Sequence, residues 1–453
     1  MFCNTRPPVN HSSLNSSSDS STRRQFITRT GTAVAGLGLG LSLAPRIYAQ
    51  ANGANNRVVM GLIGCGGMGR ENMKHLLDLG VSIAAVCDVD DKHMDRAADE
   101  VKKKGQPDPK RYKDFRKLLE NKDINAVIIG TPDHWHAIPF IAACEAGKDI
   151  YCEKPISHDF VEAKAMLSAA RHFKPVVQIG TWQRSMNHFQ KAIEYVQSGK
   201  MGKVNICRAW ITGQDKPIGH QKPQAVPAGL DYDMWLGPAP KREYQPNRCH
   251  YTWRWFFDYG GGLMTDWGVH MIDIVLLAMK EDPTRVAATG GKWTMDDDRD
   301  TPDTMQAIYQ FPNFTMNWEY RFNNQRGLDG GRNHGSEFIG SKGTLIVDRE
   351  GYQFFPNGDT KDIEQPPKLE RTESTHWQNF LDCIKTREVP RSGIESMART
   401  TMLCHLGNIS YECGKTVQWD AAKQEVTNHG DVKHCISYER EYRRPWKLKM
   451  YKA

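Results

Sequence analysis

Three short stretches, far apart in the chain, carry residue types suited to moving a hydride. Gly64-Cys65-Gly66-Gly67-Met68-Gly69 could hold a dinucleotide, Glu153-Lys154-Pro155 offers a fixed ammonium, and Asp266-Trp267-Gly268-Val269-His270 spaces an acid and an imidazole on one helix face. Oxidising a secondary alcohol takes a hydride from carbon and a proton from oxygen. The protein must hold that carbon against the acceptor and accept the proton. In such a site Lys154 would stabilise the developing alkoxide. His270 would take the proton, and Asp266 beside it would fix the tautomer and support the new charge. His134 and His136 form an HxH pair, but no carboxylate or histidine complement joins them, so no metal site is expected.

These groups need elements to place them. Met60–Ile63 reads as a strand leading into the glycine turn, and Met68–Leu79 as the helix after it. Gly64 would permit the turn, Gly66 and Gly67 would let backbone amides reach a pyrophosphate, and Gly69 would let helix pack on strand. The free N–H groups at the helix start, Met68 among them, would face the phosphates. Asp88 stands ~20 residues on, where an acid bonds the ribose hydroxyls. With Asp90 and Asp91 beside it, a 2′-phosphate would be repelled, so NAD is expected rather than NADP.

Short β-branched runs at Arg57–Ile63, Val81–Cys87, Ala126–Gly130, Asp149–Cys152 and Val176–Ile179 alternate with helical stretches. That alternation predicts a doubly wound parallel sheet over residues 52–180. Beyond it the style changes. A helix at Asn187–Ser198 and a strand at Val204–Thr212 precede a Pro- and Gly-rich loop, Lys216–Pro246, expected to cover the site. An apolar helix at Leu263–Ala278 leads to strands at Val286–Trp293, Met305–Phe311, Phe314–Tyr320, Glu337–Ile339, Thr344–Val347 and Tyr352–Phe355. Late helices near Thr375–Thr386 and Ile394–Cys413 should pack on that sheet or return to the first. Residues 181–453 are therefore expected to form an α+β domain with an open, mainly antiparallel sheet.

With 453 residues, 39% hydrophobic and 25% charged, the chain is of a size and composition for two globular domains. The net charge of +7 includes a basic end (Arg440, Arg443, Arg444, Lys447, Lys449), but no basic stripe interleaved with aromatics marks a nucleic-acid module. The 11 cysteines show no CxxC pair and read as buried thiols. Residues 1–51 read as an export signal: a polar lead, Arg23-Arg24, an apolar Gly31–Ala44 and a small-residue exit at Ala49-Gln50-Ala51. The paired arginines point to the twin-arginine machinery, cleavage near Ala51 and a periplasmic destination. That route carries folded proteins, which suits one that needs a nucleotide loaded before export.

Thr131-Pro132, Glu153-Lys154-Pro155 and the Asp266/His270 pair, in that order after the glycine turn, resemble the Gfo/Idh/MocA oxidoreductases over residues 57–410. Gly340-Ser341-Lys342-Gly343-Thr344-Leu345 is similar to that family's second domain. The resemblance implies a Rossmann domain joined to a domain that binds sugar-like substrates, with a homodimer or homotetramer as the assembly. It assigns Lys154, Asp266 and His270 to catalysis, Thr131, Pro132 and His136 to the loop bordering the cofactor, and Glu153 to a ribose contact. In the family the bond before Pro155 is often cis. Around a sugar pocket, Trp182, Gln183, Arg184, Asn187, Trp253, Trp255, Asp258 and Tyr259 are candidates, because aromatics stack on sugar faces and polar groups bond hydroxyls. The Trp residues would serve equally well as core packing. The bulky Asp133-His134-Trp135 and the long Lys216–Arg254 stretch depart from shorter members.

The expected activity is oxidation of a CH–OH group of a sugar, sugar derivative or cyclitol by NAD. An alternative uses tightly held NAD in a transient oxidation, elimination and re-reduction that cleaves or isomerises a glycoside without net redox. A third, a nucleotide-bound sensor without turnover, fits the complete trio less well.

Overall fold

The computed structural model describes residues 57–213, 216–322, 326–328, 330–358 and 375–452. Strands β1 (Val59–Ile63), β2 (Ser82–Cys87), β3 (Lys110–Tyr112), β4 (Ala126–Ile129), β5 (Asp149–Cys152) and β6 (Val177–Ile179) form one parallel sheet in the order 3-2-1-4-5-6. Every residue of β4, β5 and β6 is buried, the pattern of strands covered by helices on both faces. The order reverses between β1 and β4, and a crevice opens at the carboxyl ends there. β3 escapes sequence detection because Lys110-Arg111-Tyr112 is a short, half-exposed edge without an apolar run.

The second sheet contains β7 (Val204–Thr212), β8 (Arg285–Gly291), β9 (Thr304–Gln310), β10 (Thr315–Arg321), β11 (His334–Gly340), β12 (Gly343–Asp348), β13 (Gly351–Pro356), β14 (Val417–Asp420) and β15 (Glu425–Val426). Its order is 13-12-11-7-10-9-8-14-15, and β7 with β10 is its one parallel pair among the described residues. Burial alternates along β9 and β10, so one face packs on helices and the other stays open. The helices Gly268–Met279, almost wholly buried, and Ile394–Cys413, mostly buried, cover the packed face. The late helix Thr375–Thr386 returns to the first sheet, where Trp377, Phe380 and Leu381 join Met60, Leu62 and Met73 in one core.

The stretch after Lys216 is largely irregular, as expected, apart from a short helix at Tyr232–Leu236. It folds back onto the tip of β2. The amide of Asp91 donates to Gly229 O (3.1 Å), that of Asp231 to Val89 O (3.0 Å), and Lys113 Nζ to Gly229 O (3.1 Å). The basic carboxyl end is tied down by acids rather than arrayed as a patch. Arg440 is buried against Glu162, Arg443 pairs with Asp233, and Lys449 with Glu145.

The ten cysteines among the described residues are all unpaired, and nine are buried. No described helix is long and apolar enough to cross a membrane. The export leader, residues 1–51, and the polar linker after it lie outside the described residues.

Candidate active site

The glycine turn joins β1 to the helix Gly67–Asp78. Gly64 has φ +88°, and a Cβ there would fall 2.6 Å from the backbone of Gly130 and Thr131. A Cβ on Gly69 would sit 2.0 Å from Gly64 O, so only glycine lets helix and turn approach this closely. Gly66 and Gly67 have open space on the Cβ side. Side chains there would fill the cavity rather than the core. No side chain caps the helix and no acid sits in its first turn, which leaves its first amides and the positive dipole end available to an anion.

Asp88, at the end of β2, holds this turn in shape. One carboxylate oxygen accepts from Cys65 N (2.6 Å), the other from Asp90 N (2.9 Å). Burial pushes the carboxyl up to about 6, against the pull of those two N–H donors. Each oxygen keeps a further lone pair for a ribose hydroxyl. Gly64, Gly66, Gly67, Met68, Asp88, Thr131, Pro132 and Glu153 line one cavity of about 490 Å³, together with Lys154 and Asp266. A glycine cradle with open Cβ space, uncapped amides and an acid at the second strand end fit a dinucleotide.

Lys154 follows β5 at the carboxyl end of the sheet, and the bond to Pro155 is cis. Its ammonium donates to Asp266 Oδ1 (2.7 Å) and to the main-chain Asp266 O (2.9 Å). The second contact breaks a helix. One continuous helix is expected through Leu263–Ala278, but the chain forms two, Gly262–Asp266 and Gly268–Met279, divided at Trp267. In an unbroken helix Asp266 O would accept the His270 amide. Lys154 occupies that carbonyl, and His270 N donates to Trp267 O (2.9 Å) instead.

The break corrects the expected Asp266–His270 pairing. The Asp266 carboxylate bonds Lys154 and lies 3.4 Å from Arg254 Nε, and no hydrogen bond joins it to the imidazole. Burial alone would raise this carboxyl, but Lys154 first, then Arg254 and Arg349, bring it down to about 2. His270 is 3% exposed, does not line the cavity, and has no partner at Nδ1. Burial, reinforced by Lys154 and Arg349, holds it well below its ordinary range, so the ring is neutral and a weak base.

His136 does not reach the cavity either. Its ring bridges Pro155 O (2.7 Å) and Thr131 O (2.9 Å), tying the lysine turn to the loop after β4. Burial holds it down to about 4. Glu153 accepts from Asn72 Nδ2 (2.7 Å), and Asn72 in turn accepts from Trp377 Nε1 (3.0 Å).

None of Trp182, Arg184, Asn187, Asp258 and Tyr259 lines the cavity. Arg184 is buried in a two-pronged pair with Asp273 (2.7 and 2.5 Å), which satisfies the guanidinium inside the protein. Asp258 pairs with Arg242, and Tyr259 is fully buried against His134 and Trp235. Asn187 turns its Oδ1 to its neighbour's amide, and Trp182 lies under the Arg349 guanidinium. Trp255 is core, as its aromatic character equally allowed, whereas Trp253 does line the cavity.

Two cavity residues lack any signal strong enough to find from sequence. Arg254 stacks on Tyr251 and Trp253 and reaches Asp266. Asp133 is 3% exposed, and burial with Asp266 nearby raises its carboxyl well above the usual range. The Trp253-Arg254-Trp255 run was the available clue to the first. The second lies in the bulky Asp133-His134-Trp135 loop, where its type and spacing match no site pattern.

Fold and cradle together define a nucleotide-binding parallel sheet joined to an open mixed sheet. Residues 58–181 match the oxidoreductase family with an NAD-binding Rossmann fold, and residues 179–448 match that family's C-terminal alpha/beta domain. The chain belongs to the Gfo/Idh/MocA oxidoreductase family.

Among similar proteins, inositol 2-dehydrogenase of Salmonella typhimurium is 30% identical over 183 residues, covering 39% of this chain and 53% of that protein. A glycosyl hydrolase family 109 protein of Stenotrophomonas maltophilia is 38% identical over 138 residues, 29% of each chain. The chain thus spans little more than half the length of the first curated relatives it matches. A levoglucosan dehydrogenase solved with NADH and levoglucosan shares the fold at TM-score 0.61 and 19% identity, over 80% of this chain and 99% of that one.

Proposed function

We propose that this chain oxidises a CH–OH group of a sugar, sugar derivative or cyclitol, with NAD preferred over NADP. The observation that carries the reading is the Lys154–Asp266 contact on the wall of the same cavity as the glycine cradle. NAD bound in the cradle would supply the hydride acceptor, and in a closed cycle the hydride donor as well. Everything else falls to the chain's own groups. The ammonium, anchored by an ionised carboxylate, stabilises the oxygen that becomes alkoxide. His270, neutral but outside the cavity lining, is carried over from the family pattern as the proton acceptor. Asp88 favours the unphosphorylated ribose. The inositol 2-dehydrogenase relative supports a polyol substrate.

A second reading has its own support. The glycosyl hydrolase family 109 relative matches the chain at 38% identity, and the long segment after Lys216 is pinned over the β2 end of the cavity. A nucleotide held there would serve a cleavage or isomerisation without net redox. Twin-arginine export with cleavage near Ala51 belongs to the proposal, because a captive cofactor suits a compartment without free NAD. So does a homodimer or homotetramer, for which the open face of the second sheet offers exposed Ile206, Ile308 and Phe355.

The test is to purify the folded protein, identify any bound nucleotide, and add sugars and cyclitols while following reduced-nicotinamide absorbance. Steady turnover with added NAD supports the dehydrogenase. A single stoichiometric change without added NAD, accompanied by product, supports the closed cycle. No spectral change and no product with a broad panel would overturn both.

A further inference from the structure

The end of the same cavity near Asp88 brings together three groups that take no part in the hydride or proton transfer. They are Asp90 at the tip of β2, His93 on the helix Asp91–Lys103, and His250 on the long segment of the second domain. Their ligand atoms all lie within 4.8 Å of one another. We propose that Asp90, His93 and His250 form a binding site for a divalent transition ion of the zinc class, clamping the second domain's segment onto the nucleotide-binding sheet.

The geometry supports this at each ligand. Zinc bonds to histidine nitrogen and carboxylate oxygen are about 2.0–2.2 Å, so tetrahedral ligand atoms lie about 3.3–3.5 Å apart. His250 Nε2 and Asp90 Oδ2 are 3.4 Å apart. Asp90 Oδ1 accepts the Lys92 amide (2.9 Å), which fixes the carboxylate while leaving Oδ2 free to coordinate. His93 stands three residues after Asp90, a carboxylate–histidine spacing that recurs in helical metal sites. The two imidazole rings lie with centroids 4.6 Å apart and planes tilted by 57°. His93 Nδ1 also lies 3.9 Å from Asp88 Oδ2.

Two nitrogens and one carboxylate oxygen suit zinc, with the fourth position left to water. Asp88 and Asp90 face the cluster, opposed by Arg96 and by Arg70, and Arg70 is paired with Glu100. His250 is held at φ +53°, in the left-handed region that a residue with a Cβ adopts at a cost. Strain of that kind persists where the surroundings require it, often at ligand sites. The sequence hid the site because Asp90-x-x-His93 and His250 are 157 positions apart.

The experiment uses the full, untagged chain, stripped with a chelator and given zinc alone, without nucleotide or substrate. Its outcome is therefore independent of the redox reading. Expected is uptake of one zinc per chain by elemental analysis after dialysis, with at least 10-fold weaker binding in His93→Ala and in His250→Ala. No uptake, or equal uptake by the His93→Ala/His250→Ala double variant, overturns the proposal. A second measurement on the wild-type chain guards against variants that misfold. Zinc should protect His93 and His250 from carbethoxylation by diethyl pyrocarbonate, read by mass spectrometry. Labelling of both that is indifferent to zinc overturns the site.

Discussion

Asp88 carries a burden that a surface acid could not. Its two oxygens hold the glycine turn and its own loop, and burial pushes its carboxyl up to about 6. The sign for binding follows directly. Above that pH the group is a carboxylate able to accept ribose hydroxyls, and below it the group carries a proton and loses that capacity. NAD affinity should therefore fall as pH drops through about 6, and Asp88→Asn should flatten that dependence. Titration of NAD binding between pH 5 and 8 decides it, and identical profiles for both proteins would remove Asp88 from ribose recognition. At the reaction centre, Lys154→Ala and His270→Ala should each lower turnover at least ~100-fold with little change in KM, from lost electrostatic and proton-transfer contributions. Rates near wild type in both would take the two residues out of the chemistry. The turn was legible in the sequence because at Gly64 and Gly69 the backbone leaves no room for a side chain. The sequence did not reveal how Asp266 is used, since spacing on a helix says nothing about a lysine arriving from another strand to claim the carbonyl.

At the scale of elements, the helix covering the second sheet is broken where the first domain's lysine docks, and the break separates acid from imidazole. Periodicity found the apolar stretch but not the interruption, because Trp267 carries no helix-stopping signal. Strands with apolar, β-branched runs were legible, whereas β3, β14 and β15 lack such a run. Polar residues were the least legible. Arg184 looked like a sugar ligand by type and position, yet it pins the helix Gly268–Met279 through Asp273 and reaches Ser396 on the helix Ile394–Cys413. Removing one member of a buried ion pair leaves the other uncompensated, at a cost of about 3–5 kcal/mol. Arg184→Met should accordingly lower unfolding stability in urea by about that amount and leave substrate KM unchanged in the folded protein. Unaltered stability with a raised KM would return Arg184 to the substrate pocket.

Across the whole molecule, the two sheets exchange segments, so that neither half is closed without the other. The helix Thr375–Thr386 completes the first sheet's core, and the stretch after Lys216 closes the β2 end of the cavity. This bears on whether bound nucleotide can leave. A simple dehydrogenase must release reduced cofactor at every turnover, whereas a closed cycle need never do so. Lys113 is the side chain that holds both margins of the closure, donating to Val89 O (3.2 Å) and Gly229 O (3.1 Å) and pairing with Asp91. If that closure retains the dinucleotide, Lys113→Met should speed its release, by about 3- to 10-fold for the loss of hydrogen bonding worth ~1 kcal/mol. The measurement is displacement of bound NAD by an excess of labelled NAD, followed by rapid desalting. Slow exchange in the wild type that accelerates in the variant places the chain with enzymes that keep their cofactor. Fast exchange in both would mean that the segment shapes the cavity without gating it, and the dehydrogenase reading would then stand alone.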